Sequence, residues 1–363
     1  MIKVYHPLKL RPARAWRTYI GGSQIDALHK LPSKGDSNFP EEWIMSTVCA
    51  RNAGREKYPD EGLSYLEEND ITLRDMIASQ PEDMLGAEHV ARVGNNTGVL
   101  VKIIDAGERL TLQAHPTKEK SQELFGSSYG KTECWHILGG RTIEGEEPCI
   151  YIGFRPGITR ELWKDIFDRQ DIPAMLACLH RFNVKPGETY LIQGGIPHAI
   201  GAGCLLIEIQ EPTDYTIRTE RITPAGLHIA DFMLHQGLGF ERMFEVFSYE
   251  GTEKDVAYHS ICINPQELNA PEGCHIQELV GYRDTPCFRL VRYDITTSIE
   301  LATSGSFFGL YLFSGSGILT CGDHTENVVA GDQFFVPAIS SPFRLESNQD
   351  KPIVAFQCFG PQI

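Results

Sequence analysis

The chain has 363 residues, 42% hydrophobic and 22% charged, with 34 Gly and 21 Pro; this length accommodates two compact units, and the turn-rich composition favours β structure. A net charge of −15 argues against nucleic acid or an anionic membrane as partner, while leaving room for a local Lys/Arg cluster that binds a small anion. No apolar run reaches the length of a membrane span, and the ten Cys occur without CxxC or paired spacing, as expected of free thiols in a reducing cytoplasm.

The first residues, MIKVYHPLKLRPARAW, are basic but lack a sustained hydrophobic core and a cleavage site, so they read as a folded segment and not a signal peptide. TLRDMIASQPEDMLG (72–86) predicts a helix capped by Thr72. VLVKIID (99–105) predicts a strand, LTLQAH (110–115) alternates as a strand does, and TKEKSQELFG (117–126) predicts a short helix stopped by Gly126. KTECWHIL (131–138) and CIYIGF (149–154) read as strands. Residues 159–182 break the β pattern with apolar residues at helical spacing, and Pro173 is placed to start a second helix. Gly-punctuated strands resume over 184–210, a helix is expected over 231–247, and the tail from about 285 is again strand-like. Its SGSGIL (314–319) has no following helix or Lys, so a hairpin turn is expected there and not a phosphate loop. Two halves of short strands suggest two β-barrels or sandwiches.

Residues two apart on a strand share a face. Gln113 and His115 therefore point one way, and so do Lys131, Glu133 and Trp135, whereas His136 faces away from Glu133. If both faces line one interior, it holds an amide, an imidazole, an ammonium and a carboxylate, a costly set to bury unpaired. A divalent metal offsets that cost by taking His, Glu and the Gln oxygen as ligands. The fourth member is expected to be His198, in KPGETYLIQGGIPHAIGAG, where Gly194-Gly195 lets the backbone turn sharply. The competing reading of Lys131 and Glu133 is a surface ion pair, and of Asp214 a turn residue. The remaining His read as surface or satisfied core residues.

VKIIDAGERLTLQAHP (101–116), GKTECW (130–135), VKPGETYLIQGGIPHAIGAGCLLIEIQ (184–210) and TDYTIR (213–218) closely resemble the type I mannose-6-phosphate isomerases of the cupin superfamily. YHPLKLRPARAWRTYIGG and PEEWIMS (40–46) are weaker matches, and about 50–70 and 225–285 fall in gaps. The resemblance implies a mainly β fold: two cupin-type β-barrels (double-stranded β-helix) with a small helical insertion. It divides the chain into a catalytic metal-binding domain, 1–230, and a connecting helix with a metal-free cupin-like domain, 231–363. It implies one Zn²⁺ per chain, or another divalent ion, on Gln113, His115, Glu133 and His198. Lys102, Lys131 and Arg218 fall at basic active-site positions, Asp214 at a carboxylate linked to proton transfer, and Trp16 and Glu41 at first-strand positions near the pocket. At TERITPAGL some members carry Lys where this chain has Ala225, which leaves Arg221 as a substitute phosphate contact.

The function implied is interconversion of mannose 6-phosphate and fructose 6-phosphate through an enediol, with Lys131 and Asp214 as proton-transfer candidates. Arg218, helped by Lys102, suits the anionic end or the developing charge. Two alternatives stay open: a non-catalytic sugar-phosphate-binding or regulatory cupin, and a cupin dioxygenase using iron or manganese on the same ligands. Native metal, phosphosugar preference and oligomeric state are left open by the sequence.

Overall fold

The computed structural model describes residues 4–32, 34–348 and 352–363. The chain is built from two pairs of facing sheets. In the first barrel a seven-stranded sheet faces a five-stranded one; in the second a seven-stranded sheet faces a four-stranded one. The mainly β, double-barrel architecture expected from the sequence is present.

The first barrel's large sheet carries Glu41–Ile44, Leu100–Asp105, Cys204–Gln210, Glu133–Gly140 and Thr189–Ile192 side by side; its small sheet carries Ile217–Arg218, Gln113–Ala114, His198–Ile200, Cys149–Phe154 and Leu179–Asn183. Leu100–Asp105 is buried at every position, because one face lines the barrel and the other meets the second barrel. There the two large sheets share a core that includes Val101, Ile103, Ile207 and Ile209 from one side and Leu290, Tyr311, Phe335 and Phe356 from the other.

Two edge strands cross the expected division at residue 230. Leu8–Leu10 pairs with Gln333–Phe335 of the second barrel, and Cys262–Ile263 pairs with Thr189–Tyr190 of the first. Each exchange covers a sheet edge that would otherwise expose unpaired backbone groups.

Local signals held at the helix caps. Thr72 accepts from the Asp75 amide, Thr117 from the Lys120 amide, and Gly126 ends its helix in the left-handed region. Pro81, however, starts a new helix, so 72–86 is two helices (Leu73–Ser79 and Pro81–Leu85). The helical insertion comprises Arg160–Arg169 and Ile172–Ala177, but its last residues form the strand Leu179–Asn183, paired with Cys149–Phe154. The single helix expected over 231–247 is three short pieces, because Gln236 and Gly237 both take positive φ. SGSG is no hairpin. Phe308–Ser314 and Ser316–Cys321 lie in different sheets, and Gly315 is the corner between them, where a Cβ would sit 2.4 Å from the Pro352 carbonyl oxygen.

Candidate metal centre and active site

The small sheet places the candidate ligands by alternation. Leu112 and Ala114 face outward, into a core formed with Trp163, Phe167 and Met175 of the helical insertion. Gln113 and His115 are thereby turned inward. Gln113 lies directly across from His198 on one side and from Arg218 on the other, so amide, imidazole and guanidinium form one cross-strand row. Glu133 comes from the opposite sheet, at the start of its strand. The Gly-Gly turn ties these parts together: the Gly195 amide donates to the His115 carbonyl at 2.6 Å, and a Cβ on Gly194 would collide with Pro116 and Thr117 at 2.7 Å.

The geometry at the centre fits a cation. Ligand atoms of His115, Glu133 and His198 lie within 4.8 Å of one another, all buried. Nδ1 of His115 meets the Tyr215 carbonyl at 2.9 Å and Nδ1 of His198 the Ile196 carbonyl at 2.8 Å. A carbonyl only accepts, so each Nδ1 carries the proton and each Nε2 presents a lone pair. Those lone pairs face Glu133 oxygens at 3.2 and 3.3 Å, and neither oxygen of this buried carboxylate is hydrogen-bonded. Two lone pairs and an anion converging without a proton between them call for positive charge. Burial, reinforced by Lys131, pushes the His115 pKa down to about 3, and burial lowers that of His198; Glu133 is held well below the ordinary carboxylate range, against its own burial, by the nearby Lys131 ammonium. Neutral imidazoles and a carboxylate are the protonation states a zinc ion requires. Gln113 Nε2 is 3.4 Å from His198 Nε2; turning the amide over presents Oε1 to the same point.

Around this centre lies a buried network of charge. Arg17, Lys102, Lys131 and Arg218 face Glu41, Glu133, Glu208 and Asp214, and none is more than 6% exposed. Lys102 donates to Glu208 at 2.8 Å and to Gln210 at 2.7 Å. Glu41 accepts from Tyr19 and from Trp43, each at 2.7 Å, and pairs with Arg17 at 3.2 Å. Asp214 is held by both terminal nitrogens of Arg17 at 3.0 Å and by the Arg51 amide at 3.2 Å, which keeps it well below the usual Asp range despite its burial. Lys131 lies 2.8 Å from His115 Nε2 and 3.4 Å from Glu133, and burial lowers its pKa. Arg218 donates to the Met233 and Thr216 carbonyls and has no carboxylate partner among the described residues; burial and the like charge of Arg17 bring its pKa down to about 10. It stays charged at neutral pH and open to an anion.

Of the residues singled out from the sequence, Glu41, Lys102, Gln113, Lys131 and Arg218 line one cavity, with His115, Glu133 and His198 at its metal end. Asp214 reaches that wall through Arg17. Trp16 does not line it; its ring lies beside the Arg55 guanidinium, at 5.8 Å. Arg221 also points elsewhere, pairing with Asp231 at 2.9 Å and stacking on Phe240. Arg17, Tyr19 and Glu208 also line it and were not singled out. Glu208 was findable, since IEIQ places it on one face with Gln210 by the same alternation that paired Gln113 with His115. Arg17 carries no such local signal; Asp214, its partner, is 197 residues away.

The model of the type I phosphomannose isomerase catalytic domain matches residues 57–131. A probable mannose-6-phosphate isomerase of Bacillus subtilis is 23% identical over 353 residues, covering 94% of this chain and 97% of that protein. A mannose-6-phosphate isomerase of Streptococcus mutans is 25% identical over 71% of this chain and 75% of its own length. Among solved structures, a Bacillus subtilis mannose 6-phosphate isomerase superposes with a TM-score of 0.74 at 21% identity, covering 97% of this chain and 99% of that one. A mannose 6-phosphate isomerase bound with zinc and yttrium superposes at 0.70 and 14% identity, over 98% and 100%. Family model, near full-length relatives and fold agree with the donor set at the centre: the chain is similar in sequence to the type I phosphomannose isomerases and shares the fold of the solved mannose 6-phosphate isomerases.

Proposed function

We propose that the chain is a zinc-dependent aldose–ketose isomerase that interconverts mannose 6-phosphate and fructose 6-phosphate. The observation that carries this reading is the charge balance of the cavity. Four buried cations meet four buried carboxylates. A divalent ion on Gln113, His115, Glu133 and His198 leaves an excess of two positive charges, which suits a phosphate dianion and the negative charge that develops during isomerisation. Bound there, zinc supplies a Lewis acid that polarises the sugar carbonyl.

The chain's own residues would divide the remaining work. Isomerisation removes the proton on C2 of the aldose and delivers one to C1, with an enediol between. Lys131 suits this transfer, because burial lowers its pKa and its ammonium stands beside the metal ligands. The His115 Nε2 lone pair serves either Lys131 or an ion, so metal binding frees the amine for the substrate. Asp214 is better suited to positioning, with both its oxygens engaged by Arg17. Arg218 neighbours Gln113 on the adjacent strand, where its free guanidinium edge can meet the developing oxyanion. Lys102, Glu41 and Glu208 orient one another and hold the wall rigid.

No helix among the described residues is long and apolar enough to cross a membrane; with the acidic surface and unpaired Cys, a cytoplasmic enzyme acting on a small phosphosugar is the reading we adopt. The test is production of fructose 6-phosphate by the purified chain, run without oxygen, with chelator and with zinc restored. Turnover that chelation abolishes and zinc restores supports the assignment. Ligand binding without turnover, or a need for oxygen, overturns it.

A further inference from the structure

The second barrel repeats the first barrel's large sheet strand for strand, and its small sheet repeats four of the first barrel's five small-sheet strands. Its large sheet runs Leu8–Leu10, Gln333–Val336, Phe308–Ser314, Ile353–Phe359, Arg289–Ile295, Cys274–Val280 and Gln266–Leu268, in the order of the first barrel's large sheet. The ladders set the residue correspondence. Glu133 faces Ile192, the last residue of its neighbour, as Phe308 faces Val336. Glu208 lies across from Trp135, two places on from Glu133, as Gln357 lies across from Leu310, two places on from Phe308. Gln113 pairs with His198 as Leu301 pairs with Phe343. The catalytic cavity therefore has a counterpart at the mouth of the second barrel, with apolar residues at the ligand positions.

That counterpart is an open pocket of about 600 Å³, lined by Phe308, Leu301 and Gln357 together with Tyr282, Arg289 and Phe359, a volume ordinary for small-molecule sites. Gln357 is 5% exposed. Its Oε1 accepts from Tyr293 at 2.6 Å, while its amide nitrogen has no partner among the described residues. At the pocket lining, that nitrogen is free to donate to an acceptor that enters. The half-buried rings of Tyr282 and Phe359 form the wall. Arg289 lies over Phe359 at 4.9 Å and is neutralised by Glu278 at 2.5 Å, and exposed Glu300 stands at the rim. Among the described residues that line the pocket, no cation is left over for a phosphate.

We propose that this pocket is a metal-free binding site for an uncharged pyranose. Such a ring presents C–H bonds on one face, for the aromatic wall, and hydroxyls at its edge, for the Gln357 amide and Glu300. The site stands apart from the isomerase chemistry and does not depend on it.

The test uses the zinc-loaded full chain and methyl α-D-mannopyranoside, whose ring cannot open to a carbonyl. Binding is followed by saturation-transfer NMR and calorimetry, with fructose 6-phosphate present in saturating amount to fill the first barrel. Saturable binding indifferent to fructose 6-phosphate is expected. Gln357→Leu should weaken it at least about tenfold, and Glu300→Ala, at an exposed position, about threefold; neither should alter isomerase kcat/KM. Absence of saturable binding, displacement by fructose 6-phosphate, or binding undiminished in both variants would overturn the proposal.

Discussion

The two barrels share a sheet order and a register, yet one encloses charge and the other is filled. Where the first presents Glu133, His198 and Gln113, the second presents Phe308, Phe343 and Leu301, with the two Phe rings 6.3 Å apart. Lys102, opposite Glu208, corresponds to Val291, opposite Gln357. Inside the second barrel Ile, Leu, Val and Phe side chains form a continuous core. The fold is therefore indifferent to what its interior holds, provided that interior is satisfied, either by dispersion and burial or by ions matched to ions. The polar barrel carries function because Glu133 and two imidazole lone pairs are left there for a cation to satisfy.

That contrast can be broken most severely at the metal. His115→Ala should remove zinc and lower turnover by about 10³-fold or more, the equivalent of several kcal/mol of transition-state stabilisation, measured as metal content and initial rate on the same preparation. Glu133→Gln sharpens the point. Chelation should lower the unfolding midpoint of the parent chain but hardly move that of the variant, which has no orphan carboxylate to leave uncompensated.

In the filled barrel the expected damage is to stability alone. Phe343→Ala should cost about 3–5 kcal/mol in denaturant unfolding, with zinc content unchanged. In the charged barrel, Arg17→Leu should cost a comparable amount, about 3–5 kcal/mol, by stranding Asp214 and Glu41; adding Asp214→Asn should recover part of the loss, and a purely additive double variant would refute the coupling.

The smallest effect separates the barrels by pH. His136 is buried with its Nε2 unpartnered, and burial, then Arg292, push its pKa down to about 3. Its counterpart, by the same ladder, is Tyr311. The unfolded imidazole takes up a proton below about 6.5 while the folded one stays neutral, so His136 removes stability as pH falls from 6.5 toward 3. His136→Gln should flatten that decline by up to about 1.4 kcal/mol per pH unit, read from unfolding curves at pH 6.5 and 4.5.

Much of the site was legible because alternation is a local property. Gln113 with His115, and Lys131 with Glu133, share faces by strand geometry alone, and the Gly-Gly before His198 announced a tight turn. Caps at Thr72 and Thr117 were legible for the same reason. The single helix expected over 231–247 failed because helical spacing does not report the positive φ at Gln236 and Gly237. Pro81 and Gly315 likewise acquired their roles from what lies beyond them: a second helix in one case, a change of sheet in the other.

The sequence alone determined which side chains share a strand face, which helices begin where, and that a metal-ligand set was on offer. Tertiary structure decided which faces became an interior: that Arg17 would cross 197 residues to hold Asp214, that Trp16 and Arg221 would turn away, and that two short strands would trade barrels. Pairing partners far apart in the chain are selected by the burial and charge balance of the whole assembly, and no window of neighbouring residues contains that sum.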